Sequence, residues 1–227
     1  MRATLAPGRF RLLLLALLVF IIGTTISVGL AYARLVEYTL LALALGIAIA
    51  ELRGPGQRRL VPMILAACVI FVSVVDQVQR LRHWPLVAGA LVAVFAGTVV
   101  WLVYGSAMRS DRPVADRIVG AICVYLLIGL AFGSLYEMLD AVIPGSFRFP
   151  ADTAWTASSS LRYRYFSFIT LATVGYGDVT PATPLAGTLA TLEAIVGQLY
   201  IGITVARLVS LSLVERGSPS GQSKPYP

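Results

Sequence analysis

Six runs of apolar residues set the terms for this chain, at 12–32, 35–50, 60–78, 84–104, 114–139 and 185–214. A helix needs roughly 20 apolar residues to cross the hydrocarbon core of a bilayer. The chain is 58% hydrophobic and 13% charged, where a soluble domain carries about 25% charged residues. That much apolar surface does not fit inside one globule of 227 residues, so the bilayer is part of its solvent. The runs predict an all-α integral membrane protein with six spanning helices. Only Ala33 and Arg34 separate the first two runs. A tight helical hairpin fits there, and so does one long bent helix, which leaves five spans; we take six.

The basic residues orient the spans. With the N-terminus inside, Arg2, Arg9, Arg11, Arg53, Arg58, Arg59, Arg109, Arg112, Arg117, Arg207, Arg216 and Lys224 fall at the inner face. Arg34, Arg80, Arg82, Arg148, Arg162 and Arg164 fall at the outer one. Twelve against six satisfies the positive-inside rule, and both termini come out cytoplasmic in a multi-pass cell-membrane protein. The net charge of +7 then reads as topology signals and contacts with anionic lipid, not as a nucleic-acid surface. A cleaved leader competes at the N-terminus. Arg9 and Arg11 precede an apolar run, and Ala31-Tyr32-Ala33 resembles a cleavage site. The run is long for a leader, and its loss would leave five spans.

Enzyme chemistry finds no foothold. Cys68 and Cys123 both lie inside apolar runs, where cysteine packs as a small hydrophobe, and no disulfide partner is expected. The sole histidine, His83, excludes most acid–base constellations. Beside Trp84 and Pro85 it reads as an interfacial side chain, with a pH sensor as the sharper alternative. Trp84, Tyr104, Trp155 and Tyr163 fit aromatic-belt positions. Asp76, Arg80 and Arg82 read as an interfacial ion cluster. No cofactor is implied.

The segment between the last two runs carries the specific signal. Pro144, Gly145 and Pro150 mark a loop, and Ser158-Ser159-Ser160 offers N-caps to a helix predicted over 161–172. At 1.5 Å per residue that helix is roughly 18 Å long, too short to span. Next comes Thr173-Val174-Gly175-Tyr176-Gly177-Asp178. Two glycines alternate with ordinary residues, and glycine takes positive φ freely. Such alternation turns successive carbonyl oxygens to one side. Non-helical backbone at membrane depth is tolerated where it lines an aqueous cavity or is buried in protein.

From Val114 onward the chain resembles the pore domain of tetrameric potassium channels, of the bacterial six-transmembrane kind. The resemblance covers about half the sequence and is tightest from Phe166 to Pro181. It implies a pore domain over 111–216 with a re-entrant pore helix and filter loop; the apolar runs before it give a domain of four N-terminal helices over 1–110, and the Gly, Ser and Pro after it read as a short disordered tail over 217–227. It implies a homotetramer, because one chain supplies a quarter of a filter ring. Potassium ions, as permeant ligand, would be held by the carbonyls of Thr173, Val174, Gly175 and Tyr176 and the hydroxyl of Thr173, with Gly177 completing the filter. Tyr165 and Phe166 stand where the family often has two tryptophans cuffing Tyr176, and Tyr165 is expected to donate to Asp178. Thr170 counts among the supports. Ile169 replaces a carboxylate and Ala172 a threonine found in relatives.

By the same register Gly197 falls at the inner-helix hinge, with close helix packing as the plainer reading. Ala172, Gln198, Ile201 and Val205 line the cavity. Glu193 is a carboxylate inside an apolar helix, which is costly and usually functional or paired. Thr170 is one candidate partner, and the outer filter region another. Between His83 and Met108 no basic residue follows His83, so the fourth span lacks the arginine series of a voltage sensor. The sequence therefore reads as a potassium-selective channel with weak or no voltage dependence. A non-selective cation channel of the same architecture is the nearest alternative, and a non-conducting membrane sensor or partner subunit the more distant one.

Overall fold

The computed structural model describes residues 9–27, 113–150 and 159–217, with side chains through 210, and isolated positions within 36–47 and 90–105. The predicted spans over 35–50, 60–78 and 84–104 fall largely outside the described residues. So do Cys68, Asp76, Arg80, Arg82, His83, Trp84, Trp155, Ser158 and the tail beyond Gly217.

Helix α1 runs Arg9–Ile26, 18 residues. Phe10, Leu13, Leu17 and Phe20 are buried at helical spacing, so they form one stripe. That stripe packs against Cys123, Val124, Leu127 and Leu130 of α2, Val114–Val142. The other side of α1 leaves Leu12, Leu15, Ile22 and Ile26 exposed, an arrangement suited to lipid. Pro113 precedes α2, and its carbonyl accepts from the amides of Asp116 and Arg117 at 3.0 and 3.2 Å. Asp116 in the first turn suits the positive end of the helix dipole.

Beyond α2 the chain turns through Gly145, φ 82°, into strand β1, Phe147–Arg148. This pairs antiparallel with β2, Thr180–Pro181, Phe147 opposite Pro181 and Arg148 opposite Thr180. The two residue pairs clip the end of α2 to the segment after the candidate site.

Helix α3 is Ser159–Leu171, 13 residues, about 20 Å long and too short to span. It starts two residues earlier than predicted, and Ser160 lies inside it, bonding Arg164 through its carbonyl and hydroxyl at 3.2 Å each. Two glycines let α3 lie against α2. A Cβ on Gly129 would stand 2.5 Å from the Phe168 ring, and one on Gly133 would stand 3.0 Å from the Arg164 Cα.

Helix α4 is Pro184–Gly217, 34 residues. Thr183 caps its start, Oγ1 accepting from the Ala186 amide at 3.3 Å. Ala186, Glu193, Gly197 and Thr204 are its buried stripe, while Leu192, Ile195, Leu199 and Ile203 are exposed. Among the described helices, α2 and α4 are long and apolar enough to cross a membrane.

One expectation is corrected here. Tyr163 is no belt residue: it is 3% exposed within an aromatic cluster and donates its hydroxyl to Asp140 Oδ2 at 2.5 Å. Arg164 is buried within the protein, its guanidinium 5.1 Å from the Phe20 ring. Arg117 is likewise buried. Long aliphatic stems let arginine cover apolar surface, which a count of charges does not register.

Candidate functional site

The candidate site is the backbone between α3 and β2. Where α3 ends, its free carbonyls need donors, and the following residues supply them. The Ala172 amide donates to Phe168 O at 3.0 Å and the Thr173 amide to Thr170 O at 2.9 Å. The amides of Val174 and Gly175 both reach Ile169 O, at 2.8 and 3.3 Å. The chain is thus folded back over the helix end, where the negative pole of the dipole lies.

Thr173, Gly175 and Gly177 have φ of 55°, 54° and 80°, while Val174 and Tyr176 between them do not enter the positive region. Every second residue is therefore left-handed. A Cβ on Gly175 or Gly177 would meet nothing within 4 Å, so it is the backbone angle, not lack of space, that calls for glycine. The positive φ of Thr173 was not legible in the sequence, since threonine rarely takes it. Among the described residues no backbone amide donates to the carbonyls of Thr173, Val174, Gly175 or Tyr176, and residues 172–178 are exposed in the single chain. A row of exposed carbonyl dipoles on this scaffold can accept hydrogen bonds from water or coordinate a cation.

Both ends of the row are pinned. At one end Tyr165 donates its hydroxyl to Asp178 Oδ2 at 2.7 Å, and Asp178 Oδ1 accepts the Val179 amide at 2.9 Å. Val179 is buried in the aromatic cluster. At the other end Gln198 Nε2 donates to Thr173 Oγ1 at 3.2 Å.

Two supports are placed differently from expectation. Phe166 does not form a cuff with Tyr165. It is 4% exposed and packs edge-on against Tyr136 and Phe147, centroids 5.1 and 5.3 Å away. Adjacent helix residues point about 100° apart, so one ring faces the filter and the other the core. Thr170 does not meet Glu193; its carbonyl serves the Thr173 amide.

Glu193 is fully buried and has other partners. Oε2 accepts from Tyr136 Oη at 2.5 Å, and Oε1 lies against the Ser167 hydroxyl. Ser167 Oγ also stands 2.7 Å from Gly129 O. One carboxyl group therefore joins α2, α3 and α4 behind the carbonyl row. Tyr136, Ser167, Gly129 and Gly133 escaped the sequence reading, although Gly129 and Gly133 form a G-x-x-x-G pair in an apolar helix, a known close-packing signal.

Gly197 sits where α4 crosses the end of α3. A Cβ there would lie 2.4 Å from Leu171 O, and α4 continues unbroken through the position. Close packing, not a bend, is its observed role. Ala172, Gln198, Ile201 and Val205 are all exposed, the last three on one flank of the buried stripe of α4.

Residues 120–212 match the family model described as ion channel. The match covers less than half of the chain. Over 90 residues it is 34% identical to the two pore potassium channel c of Oryza sativa subsp. japonica, covering 40% of this chain and 18% of that one. Over 80 residues it is 39% identical to the inward rectifier potassium channel Kirbac3.1 of Paramagnetospirillum magnetotacticum, covering 35% and 23%. The chain spans about a fifth of the length of these curated relatives. No solved structure matches it. The match thus likens residues 120–212 to membrane conduits, which are not enzymes, and α2 and α4, largely within that stretch, have the length and apolarity to cross a membrane. Among the described residues the one cysteine, Cys123, is free.

Proposed function

We propose that four copies of this chain form a potassium-selective channel. Their 173–177 segments meet around one axis, and the carbonyls of Thr173, Val174, Gly175 and Tyr176 with the Thr173 hydroxyl replace the hydration shell of K⁺. Gly177 and Asp178 close the outer end. The observation that carries this reading is the alternating left-handed backbone at Thr173, Gly175 and Gly177, with no amide on the carbonyls it turns outward. Charge–dipole solvation by carbonyl rings is the physical basis of potassium selectivity. A single copy offers only a quarter of a ring, so conduction requires the homotetramer. Both relatives named above are potassium channels, which supports the choice of ion.

Six spans with both termini cytoplasmic complete the proposed topology. The run over 84–104 contains no Lys or Arg, and moving one charge through 100 mV is worth about 2.3 kcal/mol. Voltage therefore has little to act on. The test is reconstitution in planar bilayers under bi-ionic potassium and sodium. A reversal potential far toward the potassium equilibrium value, with a shallow conductance–voltage curve in symmetric potassium, is expected. A reversal near zero in the gradient would refute selectivity, and a steep curve would refute voltage independence.

A further inference from the structure

Thr173 is the only non-glycine residue with positive φ among the described residues. A left-handed backbone costs a residue with a Cβ roughly 1–2 kcal/mol, and branching at Cβ adds crowding. Such a conformation persists where its surroundings over-determine it. The Thr173 amide is held by Thr170 O at 2.9 Å. The side chain is held from a different helix, by Gln198 Nε2 at 3.2 Å.

That reach is itself fixed. Gln198 follows Gly197, the point where α4 lies so close to Leu171 O that a Cβ would stand 2.4 Å from it. The backbone of Gln198 is therefore locked against the end of α3, two residues from Thr173. A hydroxyl oxygen has two lone pairs and one hydrogen. With the Gln198 amide on one lone pair, the hydroxyl is oriented and the second lone pair remains for a cation.

We propose that Gln198 is a positioning residue for the innermost ion site: its side-chain amide orients the Thr173 hydroxyl and so sets how tightly that site holds an ion of potassium size. This rests on the channel reading above. The amide does not itself ligate the ion; it acts through Thr173.

The test uses the full-length reconstituted protein and internal Ba²⁺, a divalent ion of nearly the K⁺ radius, as a blocker of the innermost site. Gln198→Leu keeps the volume and removes the amide. Gln198→Asn keeps the polarity but is shorter by one C–C bond, ~1.5 Å, and cannot span the gap. Both variants are expected to raise the half-blocking Ba²⁺ concentration about fivefold, the population change carried by one neutral hydrogen bond. If Asn behaves as wild type while Leu does not, cavity polarity is what matters and the proposal fails. It also fails if both stay within about twofold of wild type, a smaller change than one such bond carries. Ba²⁺ protection of the purified protein against heat, read on the same three proteins, needs no current. It separates the two claims: a wild type without potassium-selective flux would sink the channel reading, while equal Ba²⁺ protection in all three would sink the role of Gln198.

Discussion

Tyr136 of α2 and Glu193 of α4 share a 2.5 Å hydrogen bond, and neither side chain is exposed at all. The pair lies directly behind α3, whose Ser167 touches the other carboxyl oxygen. Removing one partner of a buried hydrogen-bonded pair leaves the other unsatisfied, at about 1–3 kcal/mol. Glu193→Ala is therefore expected to destabilise the folded protein by about that much, for the Tyr136 hydroxyl alone. Glu193→Gln offers an N–H to Ser167 and an oxygen to Tyr136, so it should lie within about 1 kcal/mol of wild type, the scale of one net hydrogen bond. Thermal melting in detergent distinguishes the two; a Gln variant as unstable as Ala would contradict this account.

Tyr165→Phe deletes the hydroxyl bonded to Asp178 at 2.7 Å and little else. The outer end of the carbonyl row loses one tether worth about 1 kcal/mol. Current during sustained opening should decay about fivefold faster, a ratio set by that energy. Unchanged decay would separate the bond from the stability of the conducting state.

Gly175→Ala introduces a Cβ with ample room at φ 54°. The whole penalty is conformational, roughly 1–2 kcal/mol per chain. The expected outcome is an assembled protein whose potassium selectivity is lost, read as a reversal potential moving toward zero in a potassium/sodium gradient.

Gly197→Ala acts by collision instead. Its Cβ would press on the Leu171 carbonyl at 2.4 Å, a backbone atom that cannot rotate away. Separation of α4 from α3 should lower the melting temperature and carry Gln198 out of reach of Thr173. Expression and folding equal to wild type would show that α4 shifts freely here.

Burial raises the Tyr163 phenol above its ordinary value, and the hydrogen bond to Asp140 adds to the rise. The folded state therefore binds this proton more tightly than the unfolded chain, whose tyrosine titrates near ~10. The contribution is complete below that pH and is lost as pH climbs toward the folded value. Melting temperatures from pH 8 to 11 should fall for wild type more steeply than for Tyr163→Phe, which lacks the titrating group. Parallel curves would argue against it.

The amino-acid sequence by itself determined the bilayer as solvent, through long apolar runs, and the carbonyl row, through two glycines at alternate positions. Both are local properties. Apolar length is additive along the chain, and only glycine takes left-handed angles at no cost. It was enough to place α2, α3 and α4 within a few residues, while the pairing of Tyr165 with Asp178 came from the family resemblance.

What the tertiary structure decided is everything that joins separate elements. Glu193 was visible as an anomaly, but its partners Tyr136 and Ser167 lie 57 and 26 residues away, and no spacing rule reaches that far. Gly197 changed from hinge to contact point because only the placement of Leu171 reveals what a Cβ would strike. Tyr163 moved from the aromatic belt to the interior because burial depends on which helix lies alongside. Thr173 accepts a conformation its own chemistry disfavours, since Thr170 on one side and Gln198 on the other hold it there. A chain fixes its local preferences; the energy that overrides one of them comes from neighbours brought close by the fold.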